Sequence, residues 1–157
     1  MTEIIQILTA TVGSLGFGIL FNIRSKRLIA AAIGGGVAWA LYLCFFALTG
    51  NLGLSYFLVS LLVSLYSEIM ARIYKAPAII FISPSLIPLV PGASLYYTMS
   101  HALSSNTESF LTSAITTITA AAALAIGIIT ATITTKLVTK INHDIRLAIK
   151  QKKEKTK

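Results

Sequence analysis

Charged residues are scarce in this sequence. They make up 11% of its 157 residues, and only five residues are acidic. A soluble globular domain has roughly a quarter of its residues charged, so the composition excludes that class. Hydrophobic residues reach 55%. The chain is therefore predicted to be an integral membrane protein, and any function it has is expected to lie inside the bilayer.

Residues for several kinds of chemistry are also missing. The single cysteine, Cys44, excludes an intramolecular disulfide. His101 and His143 are far apart, with only Asp144 beside either of them, so we expect no metal site and no other cofactor. The sequence contains no Gly-x-x-x-x-Gly-Lys-Ser/Thr loop, so we expect no ATP-binding site of that type. It also lacks the paired acids or the triad of an intramembrane enzyme.

Five long apolar runs fill most of the chain, at about 4–21, 28–48, 54–70, 78–99 and 110–138. Each is near or above the ~20 residues that cross a bilayer as a helix. The sequence thus predicts an all-α membrane domain over residues 1–140, with five transmembrane helices, and a basic cytoplasmic tail over 141–157. The fifth run is longer than the bilayer requires, so we expect it to tilt or to project into the cytoplasm.

The basic residues all fall on one side of this predicted topology. Of the thirteen, three lie within 24–27, two within 72–75 and eight from position 136 onward, while the turns 49–53 and 101–109 contain none. Because basic residues stay cytoplasmic, the N-terminus is predicted outside and the C-terminus inside. The net charge of +8 is then explained by orientation and by attraction to anionic membrane lipid, and nucleic acid is not an expected partner.

Small residues recur every four positions in the first two runs. Such stripes let helix backbones approach closely in a membrane. We therefore predict packing faces on both helices. The stripes are Ala10, Ser14, Gly18 and Asn22 in the first run, and Ala30, Gly34 and Ala38 beside Ala32, Gly36 and Ala40 in the second.

The fourth run is interrupted by Pro84, Pro88, Pro91 and Gly92. A proline inside a helix removes a backbone hydrogen bond and clashes with the preceding turn. The run therefore predicts two half-helices, about 78–87 and 93–101, with a break within 84–92 near the bilayer midplane. A re-entrant hairpin is the competing geometry, but it would leave the last eight basic residues outside.

A helix break in a membrane has chemical consequences. Unpaired backbone groups persist there only if they are buried in protein or line a wet cavity. Free amides at Ala93 and Ser94 would favour an anion such as a carboxylate. We therefore take Pro88, Pro91, Gly92 and these two residues as substrate-binding candidates, with a proline kink that has no role in binding as the alternative.

Glu68 is the one acidic residue within the apolar core of the sequence, and Arg72 follows it by one helical turn. This is the favourable order for a helical ion pair. Because an ionisable group inside a membrane is a functional candidate, we take the two residues as ion-coupling candidates. The alternative is an ion pair at the membrane interface.

Taken together, these motifs resemble the small subunit of the threonine/serine exporter family. The similarity spans nearly the whole chain, and the Pro-x-x-Pro-Gly segment after the third run is its most specific part. The matching segments are Phe21-Asn22-Ile23, Arg27-Leu28, the three glycines from position 34, Ser67-Glu68-Ile69, Ala71-Arg72, Pro77, Ile87-Pro88-Leu89-Val90-Pro91-Gly92, Tyr96 and Met99.

The resemblance implies a secondary exporter in the bacterial cell membrane. Its substrates would be small carboxylated metabolites, either threonine and serine or a dicarboxylate such as succinate. The small subunit would act with a larger membrane subunit, which would form a hetero-oligomer with it. We add Asn22 as a further substrate-binding candidate. A membrane scaffold or regulatory subunit without transport activity is the alternative function.

Overall fold

The computed structural model describes the backbone of residues 2–104 and 107–155, and the side chains of residues 2–104, 107–141 and 145. This part of the chain is all-helical and contains no β-strand. A short 3₁₀ turn, Ile87–Leu89, separates α4 from α5. The helices are α1 (Thr2–Leu20), α2 (Lys26–Thr49), α3 (Leu52–Ile73), α4 (Ile79–Leu86), α5 (Gly92–Leu103) and α6 (Thr107–Lys155).

Four of these helices are long and apolar enough to cross a membrane: α1, α2, α3 and the Thr107–Ile141 part of α6. The number becomes five if the bent pair α4–α5 forms one span. The chain is therefore a multi-pass membrane protein. Helix α6 runs beyond the predicted fifth run at both ends and continues through the predicted tail as far as Lys155. Most side chains of that tail, and residues 156–157, lie outside the described part.

Helices α1 and α2 pack closely through small residues. A side chain added at Gly35 would meet the Ser14 hydroxyl, and one added at Gly36 would meet the Thr11 hydroxyl. The predicted packing faces are confirmed by burial of Ser14 and Gly18 in α1 and of Ala30, Ala31, Ala32, Gly34, Gly35, Gly36 and Ala38 in α2. Asn22 differs from the rest of its stripe, because α1 ends before it and its side chain is exposed.

The buried core lies between α2, α3, α4 and α6. Val59 and Val63 of α3 meet Leu89 of the 3₁₀ turn and Ala120 of α6 in one apolar cluster. Two side-chain hydrogen bonds reinforce the packing on α2. The Tyr66 hydroxyl donates to the Ala30 carbonyl at 2.9 Å, and the Ser85 hydroxyl donates to the Ala31 carbonyl at 3.1 Å.

Helices α3 and α6 run parallel to each other. Near the start of α3, Gly53 faces Thr119, and near its end Arg72 contacts Thr139. Helix α5 instead pairs with the first part of α6 as an antiparallel hairpin, in which the Thr98 and Thr117 hydroxyls are 3.2 Å apart. Because Thr119 lies level with the start of α3, residues 107–118 extend about 18 Å beyond it.

Candidate functional site

The helix break spans residues 87–91. Helix α4 continues through Pro84 as far as Leu86, and the 3₁₀ turn that follows carries Pro88 where an amide is not needed. Val90 is extended, and Pro91 precedes the first residue of α5. The axes of the two halves differ in direction by 51°. The break that the prolines predict is thus present, and it begins after Pro84.

The two halves of the broken pair lie in different surroundings. The first half is embedded in the bundle, since Phe81, Pro84, Ser85 and Leu89 are buried there. The second half has no buried residue, and α6 is the helix against which it packs. This difference places the first half in the interior of the helix bundle and the second half on the surface of this chain.

The amides at the start of α5 are not covered by this chain. The Gly92 amide donates to the Val90 carbonyl at 2.7 Å, and Pro91 offers no side-chain cap. The amides of Ala93 and Ser94 have no hydrogen-bond acceptor among the described residues. A Cβ atom added at Gly92 would have no neighbour within 4 Å. Two backbone donors beside the break therefore lack a partner within the described part of the chain.

A hollow of about 280 Å³ adjoins the break on the side of α1 and α2. Trp39 donates from its indole nitrogen to the Gln6 side-chain oxygen at 3.3 Å, and the Gln6 amide nitrogen has no acceptor among the described residues. Because Trp39 lies near the middle of α2, so does this hollow. Its lining consists of Gln6, Thr9, Ala10, Gly13, Trp39, Ile87 and Pro88.

Of the predicted substrate-binding residues, Pro88 is the one that lines this hollow. Sequence reasoning missed Gln6, Thr9 and Trp39. A signal for two of them was available, because Gln6 is the one amide side chain within the first apolar run and Trp39 is the single tryptophan of the chain. Their partnership was not visible, since it depends on how α1 and α2 pack.

Asn22 lies away from the break, in the loop between α1 and α2. Its backbone has a positive φ of 57°, and its side-chain oxygen accepts a hydrogen bond from the Arg24 Nε at 3.1 Å. It lines a second hollow, which shares no residue with the one beside Pro88. The structure therefore does not bring Asn22 together with the other substrate-binding candidates.

Glu68 and Arg72 line a third hollow, of about 400 Å³, between α3 and α6. Arg72 donates from Nη2 to the Thr139 hydroxyl at 2.7 Å. It forms no ion pair with Glu68 in the described part of the chain. Lys136 and Lys140 of α6 complete the charged lining. Glu68 is thus a half-buried carboxylate that shares a hollow with three basic residues.

No group of three His, Cys, Asp or Glu residues that could hold a metal ion occurs among the residues described. Hydrogen-bond donors lie near the break, namely the free amides of Ala93 and Ser94 and the side-chain amide of Gln6. Free amides at the start of a helix can bind a carboxylate or another small anion.

The family model described as "Threonine/Serine exporter, ThrE" matches residues 6–134 of the chain. This match extends from Gln6 in α1, through the break, to Thr134 in α6. The chain belongs to the threonine/serine exporter family. No curated protein and no solved structure matches the chain.

Membership of the threonine/serine exporter family gives the chain its general class. This is a family of transporters and not of enzymes. It agrees with a fold that has four or five helices able to cross a membrane. The helix break, the hollow beside Pro88 and the charged hollow at Glu68 all lie within the matched residues or at their edge.

Proposed function

We propose that the chain is a subunit of a secondary exporter of small carboxylated metabolites in the bacterial cell membrane. Threonine and serine are the substrates that the family description names, and a dicarboxylate such as succinate shares their carboxylate group. The observation that carries the proposal is the helix break. The break combines the free amides of Ala93 and Ser94 with a hollow lined by Pro88.

The chemistry of the break suits a carboxylate. A carboxylate accepts several hydrogen bonds, and amides at a helix N-terminus carry a partial positive charge. The Gln6 amide nitrogen offers a further donor in the adjacent hollow. A volume of about 280 Å³ is just below the range of roughly 300–1,000 Å³ for ligand pockets, which suits a metabolite of three or four carbons.

The unpaired amides are also an argument for a larger partner subunit. In hydrocarbon each unpaired backbone group costs several kcal/mol, so a break of this kind needs protein or a water-filled cavity beside it. Other helices of this chain pack around α4, which has buried residues, but α5 has none. We propose that the larger membrane subunit packs against α5 and closes the substrate pathway between the two chains.

We further propose five spans, with the N-terminus outside. Helices α3 and α6 are parallel, so the chain between them must return to the membrane side from which α3 started. The pair α4–α5 makes that crossing, and its bend of 51° is too small to reverse the chain. The hollow beside Pro88 then lies level with the middle of α2, close to the bilayer midplane.

Efflux measurements on a pair of glycine variants test this function. Cells carrying this chain with its larger partner would be loaded with labelled threonine, serine or succinate. Gly92→Leu would fill the space before the free amides without a clash inside this chain, because nothing lies within 4 Å of an added Cβ. We expect it to abolish efflux at equal abundance of the complex. Gly16→Leu is the matched control, since Gly16 has equally open space away from the break.

Two outcomes would contradict the proposal. If Gly92→Leu changed the amount of assembled complex but not the efflux per complex, the chain would be a scaffold or regulatory subunit. If no combination of the chain with its partner exported any of the three substrates, the assignment of carboxylated metabolites would be wrong. Cells with either subunit alone show whether each is required.

A further inference from the structure

The loop between α1 and α2 forms a fixed structure. The Ile23 amide donates to the Gly18 carbonyl at 3.0 Å, and the Asn22 amide donates to the Ile19 carbonyl at 2.9 Å. This is the Schellman arrangement that ends a helix, with Asn22 in the left-handed position. Ile23 is buried and anchors the loop. The side chains that follow it are thereby held in place at the end of the helix pair.

This loop lines a hollow of about 650 Å³, which we call the basic cup. It is formed by residues 21–27 together with Tyr74 and Ile80, and it includes three basic residues, Arg24, Lys26 and Arg27. No acidic residue lines it. The cup therefore concentrates positive charge within a concave surface.

Most of the hydrogen-bond donors in the basic cup remain available. Arg24 uses its Nε to bond the Asn22 side chain at 3.1 Å, and Arg27 uses Nη2 to bond the Tyr74 carbonyl at 3.3 Å. A guanidinium has five N–H donors, so each arginine is held in position and still has donors to offer. A phosphate, with several acceptor oxygens and a negative charge, is the group that such a fork binds well.

The surroundings of the basic cup are apolar. Phe21 lines the cup and is 52% exposed, while Leu20 and Ile79, each next in sequence to a lining residue, are 76% and 62% exposed. The cup lies where α1 and α2, two membrane-crossing helices, are joined, so its rim is at the boundary between head groups and hydrocarbon. A ligand with acyl chains would cover these side chains, whereas a small water-soluble anion would leave them bare.

We propose that the basic cup is a binding site for the phosphate head group of an anionic phospholipid. Arg24, Lys26 and Arg27 would hold the phosphate, and the acyl chains would lie along Leu20, Phe21 and Ile79. This inference does not depend on transport, because it concerns a face of the subunit that is separate from the helix break.

Native mass spectrometry of the purified full chain tests the lipid site. The chain would be mixed with phosphatidylglycerol or phosphatidylcholine in neutral detergent, and the bound lipid would be counted. We expect phosphatidylglycerol to be retained preferentially. The double variant Arg24→Gln/Arg27→Gln should weaken this retention about thirty-fold, since each basic residue near an anionic lipid contributes roughly fivefold.

Two further variants control for charge and for folding. Lys75→Gln removes a basic residue next in sequence to Tyr74 but outside the lining of the cup, and it should leave lipid retention unchanged. Arg24→Lys/Arg27→Lys keeps the charge and should retain most of the binding. If Arg24→Lys/Arg27→Lys remained folded but bound no more lipid than the glutamine variant, the charge of the cup would not be the cause of lipid retention.

Other results would overturn the lipid site. If the chain retained both lipids equally, it would have no preference for the anionic lipid. If Lys75→Gln reduced lipid retention as much as Arg24→Gln/Arg27→Gln does, the preference would not be located in the cup. Displacement of phosphatidylglycerol by an equal concentration of inorganic phosphate would mean that the acyl chains contribute nothing and that the site takes a free phosphate. Displacement by succinate would assign the cup to a carboxylate instead.

Discussion

The carboxylate of Glu68 is the residue whose role depends most on its neighbours. The sequence suggested an ion pair with Arg72, because the two are one turn apart. In the structure Arg72 bonds Thr139 of α6 instead, and the Glu68 carboxylate shares a hollow with Arg72, Lys136 and Lys140. Glu68 is therefore not held by a single partner, and its candidacy for ion coupling rests on being the one acidic residue in that lining.

Replacing Glu68 by glutamine tests this candidacy. Glutamine has nearly the same shape but cannot exchange a proton or carry a charge. If Glu68 couples export to a proton gradient, Glu68→Gln should flatten the dependence of efflux on pH in cells that contain the whole exporter. Glu108→Gln is the control, since Glu108 lies in the first turn of α6, away from the hollow. An unchanged pH profile in Glu68→Gln would remove Glu68 from the coupling step.

Single residues of the candidate site were predictable from sequence only in part. Pro88 and Gly92 stand out because their chemistry interrupts an apolar run, which is a local property. The partnership of Gln6 with Trp39 joins residues 33 positions apart, and that of Arg72 with Thr139 joins residues 67 positions apart. Such pairs depend on which helix faces meet, and a single sequence carries no direct record of that.

Helices α1 and α2 approach each other closely, and Gly35 lies at their contact. A Cβ atom added there would overlap the Ser14 hydroxyl. We therefore expect Gly35→Ala to force the two helices apart and to lower the free energy of unfolding by about 1–3 kcal/mol, the usual cost of overpacking. Unfolding of the purified chain in mixed detergent micelles measures this change.

The matched control for that substitution is Gly16→Ala. Gly16 lies in α1, two residues after the Ser14 that Gly35 contacts, and nothing lies within 4 Å of a Cβ atom added to it. Alanine should there be neutral or stabilising by up to about 1 kcal/mol, because it has the higher helix propensity. Equal stability of the Gly35 and Gly16 variants would contradict the close approach of α1 and α2.

The helices themselves were largely predictable, and their packing was not. Long apolar runs must form helices in a membrane, because all backbone groups need hydrogen bonds there. Proline chemistry likewise indicated the break. The sequence did not reveal that α4 is buried while α5 is exposed, because apolar side chains in a membrane can face lipid as well as protein. It also did not reveal the parallel pairing of α3 with α6.

For the molecule as a whole, the hydrogen bonds gather the described basic residues at one end of the bundle. Arg27 bonds the Tyr74 carbonyl at the end of α3, and Arg72 bonds Thr139 near the end of the part of α6 that could cross the membrane. Three basic segments that are far apart in sequence therefore lie on a common side. This arrangement agrees with the expectation that one membrane face carries the positive charge, and the positive-inside rule predicts that this face is the cytoplasmic one.

Labelling of single cysteines in a Cys44→Ala background tests the proposed topology. The variants Lys75→Cys, Ser104→Cys and Lys140→Cys each place one thiol at an exposed position near the end of a segment that could cross the membrane. With five spans and an outside N-terminus, a membrane-impermeant maleimide should label the Ser104 variant in intact bacterial cells. It should label the other two only after the membrane is opened, because α4–α5 carries the chain across between Lys75 and Ser104.

The alternatives give different patterns in the same experiment. If α4–α5 were a re-entrant hairpin, Ser104 would lie on the same side as Lys75, and α6 would then cross in the direction opposite to α3. The parallel contacts of Gly53 with Thr119 and of Arg72 with Thr139 would be impossible in that arrangement. If instead Lys75 and Lys140 were labelled in intact cells and Ser104 were protected, the five crossings would stand but the orientation would be reversed. The basic residues would then face outward, against the rule that otherwise explains their distribution.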